Sequence, residues 1–202
     1  MALETWIIYS LAALGLSLTP GPNGLLALTH GALYGVKRTL ATILGGSLGF
    51  ALIIGLSMFG LGAFLVAAPD LIIWLKLAGG LYLIWLGIQV WRAPAMRVGK
   101  VQEATSLSPR ALFRQGLLAA SSNPKGILFF VAFLPQFVVP ERSLLVQFVI
   151  MALTFVVIEF GYEFMVAFFA DRLQPFLAKA GKKFNRFFGS VFIVIGVLLP
   201  LR

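Results

Sequence analysis

Apolar runs of roughly 20 residues, each long enough to cross a bilayer as a helix, recur along the chain with short polar connectors between them. They predict six spans, near residues 6 to 29, 39 to 64, 71 to 91, 111 to 138, 143 to 170 and 185 to 201. Two of the runs are interrupted by stretches hostile to a helix. Leu18-Thr19-Pro20-Gly21-Pro22-Asn23-Gly24 breaks the first, and Ser121-Ser122-Asn123-Pro124-Lys125-Gly126 breaks the fourth. Prolines remove backbone donors, so such segments survive at membrane depth only where protein or a water-filled cavity supplies partners. Paired broken helices at corresponding places in two halves point to a transporter's binding site.

Each break can start a new half-helix. Asn123 is suited to an N-cap and Pro124 to the first helical position, where a missing donor costs nothing; Thr19 and Pro20 can play the same two parts in the first span. The resulting N-termini carry partial positive charge and bind carboxylates, and Lys125 adds a full charge to one of them. The competing reading is a proline kink accommodated by neighbouring helices. In the fifth span Glu159 and Glu163 stand four residues apart, hence on one helical face, in a run whose other clearly polar members are Gln147, Thr154 and Tyr162. Charge at the bilayer centre costs about 2.5 to 3.5 kcal/mol on the lenient insertion scale, so this face should point into the bundle. At about 1.5 Å per residue, Glu159 lies near the depth of Lys125, and Glu163 about a turn nearer the cytoplasm. A substrate site built from Thr19, Gly21, Asn23, Gly24, Ser122, Asn123, Lys125 and Glu159 follows, with Glu159 and Glu163 exchanging a proton for a substrate ammonium. Bland alternatives are a structural Lys125 to Glu159 ion pair, and a Glu163 that snorkels or pairs with Arg172.

An internal repeat supports two halves. Pro22-Asn23-Gly24-Leu25-Leu26 matches Pro124-Lys125-Gly126-Ile127-Leu128, and the Gly80 to Gly87 spacing recurs as Gly189 to Gly196. The prediction is an all-α membrane protein, one transmembrane domain over residues 1–202. Its six helices form a 3+3 inverted repeat in which helices 1 and 4 are broken. Residues 1–91 make the first three-helix repeat, 92–110 a cytoplasmic linker and 111–202 the second repeat; an odd number of spans per unit forces the copies into opposite orientation. Ala41, Gly45 and Gly49 give the second span a small-residue face for close packing within the chain or across a dimer seam. Residues 172–183 suit a segment lying in the cytoplasmic interface. Lys76 is placed to snorkel outward. His30 is read as helix-end polarity, with a proton path as the alternative. Trp6, Tyr34, Trp74 and Trp91 fall near span ends, as interface aromatics should.

Composition agrees with the pattern. With 60% hydrophobic and only 11% charged residues, against roughly a quarter charged in soluble proteins, the chain is an integral membrane protein. Twelve of the sixteen basic residues fall in connectors one, three and five. That bias places those connectors in the cytoplasm and both termini outside. It also accounts for the +9 formal charge without nucleic acid, through topology and anionic headgroups. No cysteine and a single histidine exclude a disulfide framework and argue against a metal site; no cofactor is implied. The flank before the first run has Glu4 and no Lys or Arg, so that run reads as a retained span rather than a signal peptide.

Leu16-Ser17-Leu18-Thr19-Pro20-Gly21-Pro22, then Gly35-Val36-Lys37-Arg38, then Gly79-Gly80-Leu81-Tyr82-Leu83-Ile84-Trp85-Leu86-Gly87, then Ser122-Asn123-Pro124-Lys125 and Leu134-Pro135-Gln136-Phe137 together resemble the LysE/RhtB-type amino-acid exporter family over essentially the whole chain. The resemblance implies a six-span bacterial inner-membrane exporter that moves amino acids or close derivatives outward by proton antiport, as a homo-oligomer. It also implies an acidic residue in span five, a place that Glu159 fits. Where the family often has a glutamine between glycines in span two, this chain has Ser47. Two readings of other classes compete: an ion channel or cation exporter, and an intramembrane enzyme using the two glutamates as acid and base.

Overall fold

The computed structural model describes residues 1–19, 21–67, 71–92, 107–139 and 141–198. Its regular elements are all helical, with no strand among the described residues: α1 Leu3–Leu18, α2 Pro22–Ala67, α3 Leu71–Arg92, α4 Pro109–Ser121, α5 Pro124–Phe133 with a closing 3-10 turn Leu134–Gln136, α6 Leu144–Phe168 and α7 Ala170–Leu198.

α2 is a hairpin. Gly35 alone leaves helical geometry, at φ 73° and ψ 162°, a conformation open to glycine and strained for any residue with a β-carbon. The arms before and after it, residues 22–34 and 36–67, fold back on each other: His30 Nδ1 lies 2.8 Å from Thr42 Oγ1. The expected connector at Lys37 and Arg38 is therefore not a loop, since both residues already belong to the second arm. Arg38 donates instead to the carbonyl of Leu107, which joins this turn to the stretch that leads into α4. The expected interfacial segment at 172–183 and the sixth span likewise belong to one helix, α7; most side chains of that segment, and that of Lys76, lie outside the described residues.

The helices approach each other on their small residues. α2 packs on α4 and α6, α3 on α7 and α5, and α1 mainly on α6. A β-carbon on Gly45 would strike the carbonyl of Phe113, and one on Gly116 that of Thr42, so these two backbones touch. The small face of the second span is thus used inside the chain. On the other flank, a β-carbon on either Gly87 or Gly189 would lie 2.6 Å from the other's carbonyl, and one on Gly196 would lie 2.7 Å from that of Gly80.

Polarity runs opposite to that of a soluble protein. Leu44, Leu48, Leu52 and Leu56 on α2, and Leu145, Val149, Leu153 and Val157 on α6, form exposed stripes every four residues, while Ser17, Asn23, His30, Thr42, Glu159 and Glu163 are buried. An apolar exterior, with polar groups confined to an otherwise apolar interior, is what a bilayer demands. Aromatic rings fill the space beside those polar groups: Phe155 lies between Phe50 and Phe130, with ring centroids at 5.1 and 4.8 Å. Tyr9 Oη donates to the carbonyl of Met151 at 2.9 Å. Trp6 ties α1 to α6 through Nε1 donating to Thr154 Oγ1 at 3.0 Å.

Candidate functional site

The two broken helices meet face to face. Between α4 and α5 the axis bends by 48°, and Asn123 caps the new helix as expected: its Oδ1 accepts from the backbone N–H of Lys125 at 3.1 Å and of Gly126 at 3.5 Å, with Pro124 in the first turn. The first break is built differently from the expectation. Thr19 does not cap α2 but closes α1, its hydroxyl donating to the Gly15 carbonyl at 2.7 Å. α2 begins at Pro22, with Leu25 N–H donating to Gly21 O at 3.0 Å. Pro22, not Pro20, thus takes the position of Pro124, because a threonine hydroxyl is satisfied by the carbonyl one turn back and leaves the cap position to a residue without a side chain.

Lys125 joins the breaks. Its Nζ donates to the carbonyls of Leu16 at 3.1 Å and Thr19 at 2.9 Å. In a continuous helix the Leu16 carbonyl would receive the N–H of residue 20, but a proline has none to give, and it takes only the shared N–H of Thr19 at 3.2 Å. The last carbonyls of a helix also carry partial negative charge, so an ammonium is well placed there. Lys125 thus spends its donors on backbone rather than in the structural ion pair with Glu159 that sequence allows.

Around this contact lies a small cavity lined by Ser17, Asn23, Phe50, Asn123, Lys125 and Glu159, among others, which leaves about 10 Å³ for the centre of a water molecule. That is space for roughly one water, so no amino acid fits in it as it stands. Glu159 stands beside Ser17, Lys125 and Glu163, and Glu163 beside Asn23. Gly46 makes room for the last two: a β-carbon there would lie 3.1 Å from Asn23 Nδ2 and 3.4 Å from Glu163 Oε2. Glu163 is 1% exposed, which rules out snorkelling. Four oxygens of this cluster, Ser17 Oγ, Asn23 Oδ1, Glu159 Oε2 and Glu163 Oε1, are buried without a hydrogen-bond partner. Each such group costs about 1 to 3 kcal/mol, so four of them gathered at one spot are a cost that packing alone does not explain.

Thr19, Gly21, Asn23, Gly24, Asn123, Lys125 and Glu159 all line the one cavity, with Glu163 adjoining. Ser122 does not join them. It is exposed, and its hydroxyl donates back to the Leu118 carbonyl at 2.6 Å, closing the last turn of α4. The structure adds residues that sequence did not single out for the site. Ser17 sits one turn from the break, Phe50 and Phe155 wall the cavity, and Tyr162 Oη lies 2.9 Å from where a β-carbon on Gly24 would be. Their signal was present only as a lone serine and bulky aromatics in apolar runs. His30 is buried with Thr42 in the α2 hairpin, two turns along from Asn23. A separate groove of about 300 Å³ lies on the far side of Thr19 and Lys125, walled by Tyr82, Trp85, Gln89 and Leu128.

An apolar exterior and two helices broken face to face over a buried polar cavity are the architecture of a membrane transporter. A family model for the LysE type translocator matches residues 14–202, and the chain belongs to that family. It is 34% identical over 201 residues to the homoserine/homoserine lactone efflux protein of Salmonella typhimurium, covering 98% of this chain and 97% of that one. The leucine efflux protein of Klebsiella pneumoniae is 31% identical over 192 residues, covering 93% and 91%. An uncharacterized membrane protein of Vibrio cholerae is 35% identical over 205 residues, covering 98% of each. No solved structure matches the chain. The two relatives named for a function are efflux transporters and not enzymes.

Proposed function

We propose that this protein is a secondary exporter of amino acids or their close derivatives, working by proton antiport with alternating access in the bacterial inner membrane. The observation that carries the reading is the small cavity between the breaks, where two half-helix N-termini, Lys125 and unpartnered Glu159 and Glu163 oxygens converge. The substrate carboxylate lies at the N-termini near Gly21, Asn23, Gly24, Asn123 and Lys125, and its ammonium near Glu159. Glu159 and Glu163, one turn apart where water is scarce, are the groups that hold and release the coupling proton. The relatives named for homoserine and leucine efflux support an amino-acid cargo.

The contacts also support six spans arranged as a 3+3 inverted repeat, with 1–91 and 111–202 as the repeats and 92–110 as linker. Exchange of the halves maps Gly80 and Gly87 onto Gly189 and Gly196, and it turns each of the observed contacts, Gly87 with Gly189 and Gly80 with Gly196, into the other. In the same way Gly24 of the first half faces Tyr162 of the second, while Gly126 of the second faces Phe50 of the first. The Arg38 to Leu107 bond keeps connectors one and three at one end, which the positive-inside rule makes cytoplasmic, with both termini periplasmic. A homo-oligomer surrounded by lipid completes the proposed state.

Counterflow into proteoliposomes preloaded with mixed amino acids and derivatives tests the reading. Accumulation of one labelled class, enhanced by an imposed pH gradient and lost in Glu159→Gln, is the expected result. Absence of counterflow across a broad panel with folded protein, together with flux of an inorganic cation, overturns it in favour of ion transport.

A further inference from the structure

We infer that the carbonyls of Leu16 and Thr19, together with Glu159, form a primary-ammonium subsite that the chain's own Lys125 occupies in this structure. Lys125 Nζ donates to both carbonyls, at 3.1 and 2.9 Å. The acceptors are what an amine needs: two helix-terminal carbonyls, one of them without the usual donor four residues on, where a proline stands, and taking from the backbone only the shared Thr19 N–H at 3.2 Å, and a carboxylate on the same cavity wall with an unpartnered buried oxygen. Ser17 Oγ, also buried and unpartnered beside Glu159, adds a further acceptor. With Lys125 in place the cavity leaves about 10 Å³ for the centre of a water molecule.

Lys125 is therefore a tethered competitor. An incoming substrate ammonium displaces it, and the released side chain turns toward the groove of about 300 Å³ that it already lines with Thr19 and Gln89. From there it meets the substrate carboxylate at the N-terminus of α5. This deepens the amino-acid reading above and rests on it for the second half of the exchange only. Lys125 consequently has opposite effects on two ligand classes: it opposes amines that lack a carboxylate and assists amino acids that have one.

The test is calorimetric titration of the purified full chain with isoamylamine, which is leucine without its carboxylate. Lys125→Met is expected to bind the amine about tenfold tighter than the unaltered chain, the scale of one charge-assisted hydrogen bond. Glu159→Gln added to Lys125→Met removes that gain. Gly21→Ala is an independent probe that keeps Lys125. The new β-carbon would lie 2.9 Å from Nζ and 3.3 Å from Cε, so it pushes the flexible end of the lysine off the carbonyls, and several-fold tighter amine binding is expected. Unchanged or weaker amine binding in a Lys125→Met protein with normal thermal unfolding overturns the inference. Should that variant fail to fold, unchanged amine binding in Gly21→Ala overturns it alone. Counterflow of amino acids that survives such a result leaves the exporter reading standing without the tethered competitor.

Discussion

The two breaks share a backbone device and divide the side-chain chemistry between them. Each opens a helix with proline in its first turn, Pro22 or Pro124. At the second break a side chain caps that helix and a cation follows it, Asn123 and then Lys125. At the first, Gly21 stands before the proline, and the space beside it is filled by Lys125 from across the cavity. One break is thus furnished and the other is vacant, and the furnished one reaches over to complete the vacant one. A duplicated scaffold gives two similar helix ends, but a substrate with two unlike ends, carboxylate and ammonium, needs them to differ.

Four pairs of substitutions break or sharpen this contrast. The largest separation is expected between the two glutamates. Glu159→Gln, beside Lys125, should weaken substrate binding by about a hundredfold and abolish gradient-driven accumulation in proteoliposomes. Glu163→Gln, beside Asn23 of the vacant break, should cost about tenfold; equal losses would mean that both breaks serve the ammonium alike. Next come the glycines that admit a ring from the opposite half. Gly126→Ala meets Phe50 at 2.9 Å, and Phe50 is held against Phe130 and Phe155, so about 2 kcal/mol of stability should be lost. Gly24→Ala meets the tip of the half-buried Tyr162 and should cost about half as much, read as a smaller fall in Tm in detergent. Asn123→Ala should remove about 1 kcal/mol, the value of an N-cap, whereas Gly21→Asn should not recover a comparable gain while Lys125 fills that space. Smallest are Pro22→Ala and Pro124→Ala, each about 0.5 kcal/mol through the unfolded chain and nearly equal, because there the two breaks are alike.

What the sequence made legible was local or periodic. Asn123-Pro124 obeys a capping rule that needs only neighbours, and the face shared by Glu159 and Glu163 needs only the helical repeat. The Thr19 assignment failed because Pro20-Gly21-Pro22 offers two prolines able to start a helix, and the choice is made by where the Thr19 hydroxyl finds an acceptor. Ser122 failed for the same reason, since its hydroxyl turns back onto Leu118. The bond from Lys125 to Leu16 and Thr19 spans more than a hundred residues of chain and leaves no mark in any window of sequence. The turn at Gly35 was legible as a connector between spans one and two but not in its form: a single positive φ makes the reversal, and Lys37 and Arg38, the connector's polar residues, are already helical.

That turn has a mechanical side. A connection of one residue holds no slack, so the arms of α2 cannot slide lengthwise past each other; they can only pivot on a pin. The first arm begins at the vacant break, and the second arm lies backbone to backbone on α4, which leads into the furnished one. Whatever swings one end of this lever is felt at the other, and adding two residues at Gly35 would cut the linkage while leaving every contact in the cavity intact.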